Sequence, residues 1–216
     1  MTLSSLQSLF PGDVAVVTVT PGMVLGALHP AEEVHVRNAV PKRRREFTAG
    51  RHCAREALAR LGIHGVAIPA GPDRAPEWPD GITGSISHCD SLCAAVAARV
   101  GRIVSLGLDI ESVEPLSREL VSLVGTCAEI EEWDRASGEL ALDPAKLAFC
   151  AKESVYKADY PLTKRFLDFH DVEVAFDFER ETFIARIGGV RSLHGCYGTD
   201  GKHVFARVLV TAPMPT

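Results

Sequence analysis

Two proline-opened helical stretches, each set among short runs of β-favouring residues, limit what this chain can fold into. Pro41 opens the first, about residues 41–61. Its missing N–H costs nothing there, because the first helical turn offers that donor no partner. Phe47, Ala54, Leu58 and Leu61 recur at three- and four-residue spacing, and Gly62 supplies the stop. Asp143 and Pro144 open the second, about 144–158, with Leu147, Phe149, Cys150 and Val155 as its apolar stripe and Pro161 ending it. Strand candidates lie at 14–19, 84–88, 172–176, 182–187 and 204–210, with a hairpin of 92–100 and 103–110 turning at Gly101 and Arg102. One long helix and a small antiparallel sheet in each half predict an α+β, pseudo-duplicated fold, with halves 1–105 and 106–216 forming one compact unit. Between the main elements, 63–82 reads as a proline-broken loop with Trp78 as a packing anchor and Arg74 its only cation, and 112–144 as an acidic helix and variable loop.

Composition bears on partners and compartment. The net charge of −5 argues against a nucleic-acid binder with a broadly basic surface. Local basic character exists in Lys42, Arg43, Arg44 and Arg45, followed by Arg51, Arg55 and Arg60 on the first helix. Six cysteines without C-x-x-C spacing indicate neither a zinc ribbon nor a disulfide framework, and reduced thiols fit a cytoplasmic protein. The N-terminus lacks a basic region and apolar core of the signal-peptide kind, and no apolar run approaches a membrane span.

The chemistry concentrates in two runs. In Gly107-Leu108-Asp109-Ile110-Glu111 the two acids sit two residues apart on a strand, so both emerge on one face, beside a glycine that leaves room for a ligand to approach the backbone. In the run from Phe149 to Ala158, Glu153 and Lys157 lie one helical turn apart. Three carboxylates without a neighbouring His or Cys ligand suit a hard ion, Mg²⁺ or Mn²⁺, with Lys157 and arginines neutralising a phosphate substrate. The plainer alternatives are a solvated strand edge and a helix-supporting ion pair. For the arginine helix they are a solvated basic face or an anion clamp in which Arg43 and Arg51 reach a phosphate. His88 beside Cys89 admits a thiol-nucleophile reading, a phosphate contact or a capped turn.

Gly84-Ser-Ile-Ser-His88, Gly107-Leu-Asp-Ile-Glu111 and Phe149-Cys-Ala-Lys-Glu-Ser-Val-Tyr-Lys-Ala158 resemble the three signature blocks of Sfp-type 4'-phosphopantetheinyl transferases. The stretch from Lys42 to Arg55 and the Arg74-x-Pro-x-Trp-Pro79 loop are similar to the branch holding the enterobactin-pathway and mycobacterial transferases. The resemblance spans about residues 41–170. It implies transfer of the phosphopantetheine arm of coenzyme A to a serine of an apo acyl or peptidyl carrier protein, with release of 3',5'-ADP, in a cleft between the two halves of the family's pseudo-twofold fold. It implies Asp109, Glu111 and Glu153 as magnesium ligands and Glu153, Lys157, Glu111 and His88 as catalytic residues. Arg43, Arg51, Arg74, Ser87, His88 and Lys157 are the implied coenzyme A contacts. Asp73 departs from the lysine several relatives carry beside the Arg74-like position, which shifts the 3'-phosphate toward Arg43 or Arg51. The serine proton goes to Glu153 or to a water poised by Glu111.

On this reading the protein is a cytoplasmic monomer whose partners are carrier domains of polyketide or nonribosomal peptide synthesis, siderophore synthesis included. Carrier choice is expected to rest on surface near Phe47, 162–169 and 112–144. A metal-dependent phosphodiesterase and a noncatalytic coenzyme A or carrier-binding module are the competing classes.

Overall fold

Burial of the two helical stripes organises the rest of the chain. The computed structural model describes residues 5–23, 26–136 and 142–213. The first four residues and 137–141 of the expected variable loop lie outside the described residues. The chain divides into two compact units, one of residues 10–106 with 211 onward, the other of residues 107–210 with the segment ending at Leu9. The division falls beside the expected one at 105/106, but the chain ends are exchanged relative to a simple split. Arg207 Nε donates to Leu9 O at 2.7 Å, tying the first short 3₁₀ turn to the later unit, and Ala212 N donates to Arg102 O at 2.9 Å in the earlier one.

The earlier unit holds β1 (Ala15–Val19), α1 (Pro30–Glu33), α2 (Pro41–Arg60), β2 (Ile82–His88) and β3 (Cys93–Arg99). Its three strands pair antiparallel in the order β1-β3-β2. Ala49, Cys53, Ala54, Ala57 and Leu58 of α2 pack on Ala95 and Ala97 of β3 and on Val17 of β1. Small residues on both surfaces bring helix and sheet close: a Cβ on Gly50 would lie 2.9 Å from Ile86 Cγ2. Gly62, at φ +79°, ends the helix as expected. Trp78 packs against this core as anticipated and lies over Gly84, where a Cβ would come within 2.3 Å of its ring.

The later unit is built on β4 (Ile103–Ser112), which crosses the division, followed by α3 (Arg118–Val124), α4 (Cys127–Ala136), α5 (Pro144–Thr163), β5 (Val172–Asp177), β6 (Thr182–Ile187), β7 (Arg191–Thr199) and β8 (His203–Thr211). The five strands are ordered β4-β8-β7-β6-β5. Leu147, Cys150, Ala151, Val155 and Ala158 of α5 cover the sheet residues Val174, Phe183, Ala185, Tyr197 and Val208. Each unit thus places a 20-residue helix on an antiparallel sheet, the α+β plan read from the sequence.

Four expectations need correction. The hairpin of β3 and β4 does not form: β3 pairs with β1 and β2, β4 joins the other sheet, and an isolated bridge between Val100 and Ile103 is all that spans Gly101 and Arg102. Residues 105–110 of β4 are all buried, so both faces of the strand are covered, and its place is at the edge of the second sheet beside β8. The hairpin that does form joins β2 to β3, where Cys89 N donates to Leu92 O at 2.8 Å. Helix α5 runs past 158 to Thr163 with Pro161 inside its last turn, and it stops at Lys164 in the left-handed region at φ +55°. The sequence pattern does not predict strand β7, because Ser192, His194, Gly195 and Gly198 dilute its alternation. Gly195 is nonetheless required, since a Cβ there would meet the Phe183 ring at 2.0 Å. Finally, 112–136 holds two short helices rather than one.

Candidate active site

In the earlier unit a cleft of about 450 Å³ opens between α2, the end of β2 and the 69–76 loop. Arg43, Arg51, Arg74 and His88, four of the residues expected to contact coenzyme A, line it together, with His35, Glu46 and Phe47 among the remaining walls. Three arginines and two histidines face one glutamate, so the cleft favours an anion.

Arg51 is its innermost cation. Eight residues from Arg43 along α2, it lies about two helical turns away on nearly the same face. Its side chain is only 5% exposed, its Cζ sits 4.2 Å above the Phe47 ring, and Nη2 donates to Pro69 O at 3.5 Å. Among the described residues its Nε has no hydrogen-bond partner. Burial, with Arg43 and Arg55 adding repulsion against the attraction of Glu32, pulls its pKa down to about 10. Arg74 reaches the cleft from a tight turn in which its own φ is +66°. Gly71 N donates to Ala75 O at 2.8 Å and Arg74 N to Gly71 O at 2.9 Å. Asp73, the residue that departs from the family pattern, accepts from Ala75 N at 3.0 Å within this turn and does not line the cleft.

Ser87, the neighbour of His88 on β2, is 4% exposed and does not line the cleft, since adjacent strand residues point to opposite faces. Phe47 is buried in the cleft wall, which removes it from the expected carrier surface. Cys89 has Ser91 Oγ at 3.7 Å and does not line the cleft, so the thiol-nucleophile reading finds no support. Sequence reasoning missed His35, Glu46 and the role of Phe47. Glu46 and Phe47 were accessible through spacing, Glu46 lying three residues from Arg43 and Phe47 four from both Arg43 and Arg51, whereas His35 is brought in by a fold-level contact.

The later unit gathers the acids. Asp109 and Glu111 project from β4, and Glu153 and Lys157 from α5. Asp109 is 3% exposed and accepts from Lys157 Nζ at 2.6 Å; Glu111 accepts from Lys146 Nζ at 3.2 Å. The solvated-edge alternative therefore fails for Asp109. Gly107 does not serve ligand approach: a Cβ there would lie 1.9 Å from Ser154 O and 2.7 Å from Ala158 N, so the glycine lets α5 press its backbone onto β4. That contact brings the helix acid and lysine to the strand acids. Burial raises the Glu111 pKa, and Asp109 adds to it against the pull of Lys146. Burial likewise raises that of Glu153, with Asp109 and Glu111 contributing against Lys157. Burial works against the charge on Lys157, but Asp109 and Glu153 outweigh it and its pKa is raised. Among the described residues no three His, Cys, Asp or Glu side chains are grouped to hold a metal ion. Lysines, rather than a shared centre, meet the charges of Asp109 and Glu111 in this arrangement.

Lys146 was missed, although 146, 150, 153 and 157 form one helical stripe. A second buried lysine, Lys152, faces away from this cluster and donates to Glu129 Oε2 at 2.9 Å, Val124 O at 2.8 Å and Phe169 O at 3.0 Å. Burial lowers its pKa and Glu129 opposes the shift. It ties α5 to α4 and takes no part in the acid cluster. Beside Glu153, a smaller groove of about 200 Å³ is walled by Tyr156, Phe166, Leu167 and Phe169. Phe166 and Leu162 are exposed, in keeping with the surface expected at 162–169.

Comparison with known proteins agrees with the blocks in both units. Residues 31–98 match the 4'-phosphopantetheinyl transferase N-terminal domain family, and residues 105–209 match the 4'-phosphopantetheinyl transferase superfamily. The chain belongs to the 4'-phosphopantetheinyl transferase superfamily. Within it, the chain is 39% identical over 212 residues to the 4'-phosphopantetheinyl transferase Svp of Streptomyces mobaraensis, covering 92% of this chain and 85% of that one. It is 38% identical over 157 residues to the transferase PptT of Mycobacterium tuberculosis, covering 73% and 69%. It is 40% identical over 139 residues to enterobactin synthase component D of Escherichia coli K12, covering 62% and 64%. The branch read from the sequence is the one these relatives occupy. Among the described residues no helix is long and apolar enough to cross a membrane.

Proposed function

We propose that this chain transfers the 4'-phosphopantetheine arm of coenzyme A to a serine hydroxyl of an apo acyl or peptidyl carrier protein and releases 3',5'-ADP. Arg51 is the observation that carries the reading. A buried guanidinium with an unpartnered Nε, flanked by Arg43, Arg74 and His88 in an open cleft, is suited to a phosphorylated ligand. Arg43, Arg51 and Arg74 would hold the 3'-phosphate end, and His88 the other phosphates, while Ser87, buried on the opposite face of β2, drops out of the contact set.

Asp109, Glu111 and Glu153 are the proposed ligands for Mg²⁺, with Mn²⁺ a substitute. Their oxygen-only donor set fits a hard cation, and such a cation would relieve both the burial of Glu111 and Glu153, which is the main cause of their raised pKa values, and the smaller repulsion among the acids. When bound, the ion supplies charge neutralisation for the pyrophosphate. Lys157, held in its charged form by Asp109 and Glu153, contributes a second positive charge toward the leaving group. Glu153, which makes no ion pair within 4.0 Å among the described residues, or a water poised by Glu111 would accept the serine proton. Phosphoryl-type transfer asks mainly for positioning and charge neutralisation, and these residues provide both. The same proposal takes the protein as a cytoplasmic monomer acting on carrier domains of polyketide, nonribosomal peptide or siderophore synthesis, and the six free cysteines are compatible with a reducing compartment.

The test is incubation with coenzyme A, Mg²⁺ and a panel of apo carrier domains, followed by intact-mass measurement. A gain of one phosphopantetheine on a carrier is the expected outcome; no gain on any carrier, with coenzyme A recovered intact, contradicts the proposal.

A further inference from the structure

We infer that Glu32 and His35 are positioning residues for the anion cleft, acting through the loop that carries Arg74. The inference rests on the cleft being the coenzyme A site. Glu32 does not line the cleft and the three arginines outweigh Glu46 without His35, yet both residues reach from the α1 segment to the same three-residue stretch of its wall. Glu32 Oε1 accepts from Ile68 N at 2.9 Å, and His35 Nε2 accepts from Ala70 N at 3.3 Å. Between them, Pro69 O accepts from Arg51 Nη2 and from Glu77 N, the latter at 3.0 Å. Residues 68, 69 and 70 are the foot of the small loop closed by the Ala70 to Pro76 bridge, and the tip of that loop presents Arg74.

The chemistry of Glu32 favours this role over simple helix capping. It is 0% exposed, and a buried carboxylate is costly unless its charge is matched and its lone pairs are occupied. Arg55 pairs with Oε2, His29 N donates to Oε2 at 2.9 Å, and Ile68 N takes Oε1. Helix α1 has four residues, and its capping accounts for one of these three bonds. The other two fasten α2 on one side and the cleft wall on the other. Arg44, which donates to Glu33 Oε1 and to Val36 O, fixes the same segment to α2, so the wall is referenced to the helix that bears Arg43 and Arg51. In this arrangement Glu32 and His35 set the distance between Arg74 and the two helix arginines. His35 does so only with Nε2 unprotonated, because that atom is the acceptor.

The experiment compares wild type with Glu32→Gln, His35→Phe and His35→Gln. It measures coenzyme A binding by calorimetry, KM and kcat with a carrier substrate, amide exchange at Ile68 and Ala70, and Tm. Loss of the Ala70 bond in His35→Phe should raise KM for coenzyme A about threefold, and Glu32→Gln about tenfold, with kcat within about twofold of wild type. His35→Gln, which keeps an acceptor near the Nε2 position, should restore the wild-type KM. Exchange at residues 68 and 70 should quicken in step with KM. Wild-type KM in both Glu32→Gln and His35→Phe, or a fall in Tm and kcat without a change in KM, would overturn the inference and leave these residues merely structural. Failure of the wild type itself to bind coenzyme A would instead remove the cleft reading, and the inference with it.

Discussion

The two charged regions solve the burial of like charges in opposite ways. Around Arg51 the cations are left for a ligand: among the described residues no carboxylate is bonded to that guanidinium, its pKa falls, and the cleft stays open. Around Asp109 the acids are answered within the protein, by Lys157 and Lys146, and the pKa of Lys157 rises. The difference teaches that the cleft is prepared to receive an anion as it stands, whereas the acid cluster must exchange its lysine contacts before it can share a cation. Binding and turnover should therefore respond differently to substitution.

The largest expected effect lies in the acid cluster. Asp109→Ala should lower kcat by on the order of 10²–10³-fold, measured with saturating coenzyme A and carrier, while coenzyme A binding is retained. Near-normal turnover would remove Asp109 from the site and with it the contrast between the regions. Next comes the contact that assembles that cluster. Gly107→Ala drives a methyl into Ser154 O, and the strand and helix must part, at a cost of about 3 kcal/mol or more in urea denaturation. Unchanged stability would show that α5 does not press on β4 as described.

Arg51→Met should act on the other region and in the other manner. KM for coenzyme A should rise about tenfold or more from loss of charge-assisted hydrogen bonds, with kcat nearly preserved. Because an incompletely bonded buried cation is replaced by an apolar side chain of similar length, Tm should hold or rise. A fall of several degrees would mean that Arg51 is a structural ion pair after all. The smallest effect concerns acid sensitivity. Burial alone would raise the Glu32 pKa, but bonds from Ile68 N, His29 N and Arg55 hold it below the ordinary 4.5. The folded state thus binds this proton more weakly than the unfolded chain. The stabilisation is fully present above 4.5 and is lost as pH falls through the lowered folded value. The stability gap between wild type and Glu32→Gln should accordingly shrink as pH is taken below 4.5, and a gap independent of pH would contradict the assignment.

Much of this was legible because the signals are local. Proline at a helix start, glycine at its end and apolar spacing located α2 and α5 to within a few residues at most ends, and Arg43, Arg51, Arg74 and His88 line one cleft of the earlier unit. The losses have a common physical origin in non-local contacts. Gly107 reads as an open backbone position until Ser154 is placed against it, and Gly195 reads as a strand breaker until the Phe183 ring is laid across it. The pairing of β4 is likewise decided by a partner far along the chain, since adjacency to β3 in sequence suggests a hairpin whereas the strand lies beside β8. Lys146 and His35 carry no motif at all, and only the packing of α5 on β4 and of the α1 segment on the 68–70 loop gives them a place in the site.

The central claim is that anion recognition in the cleft is separable from the chemistry of the acid cluster. Calorimetric titration of coenzyme A into the protein under excess metal chelator, for wild type and Arg51→Met, with carrier modification followed in the same samples, tests it most directly. The account predicts that the wild type binds without metal, that Arg51→Met binds at least about tenfold more weakly, and that neither modifies the carrier until Mg²⁺ is restored. Binding that vanishes with the chelator, or that is the same in both proteins, would contradict it.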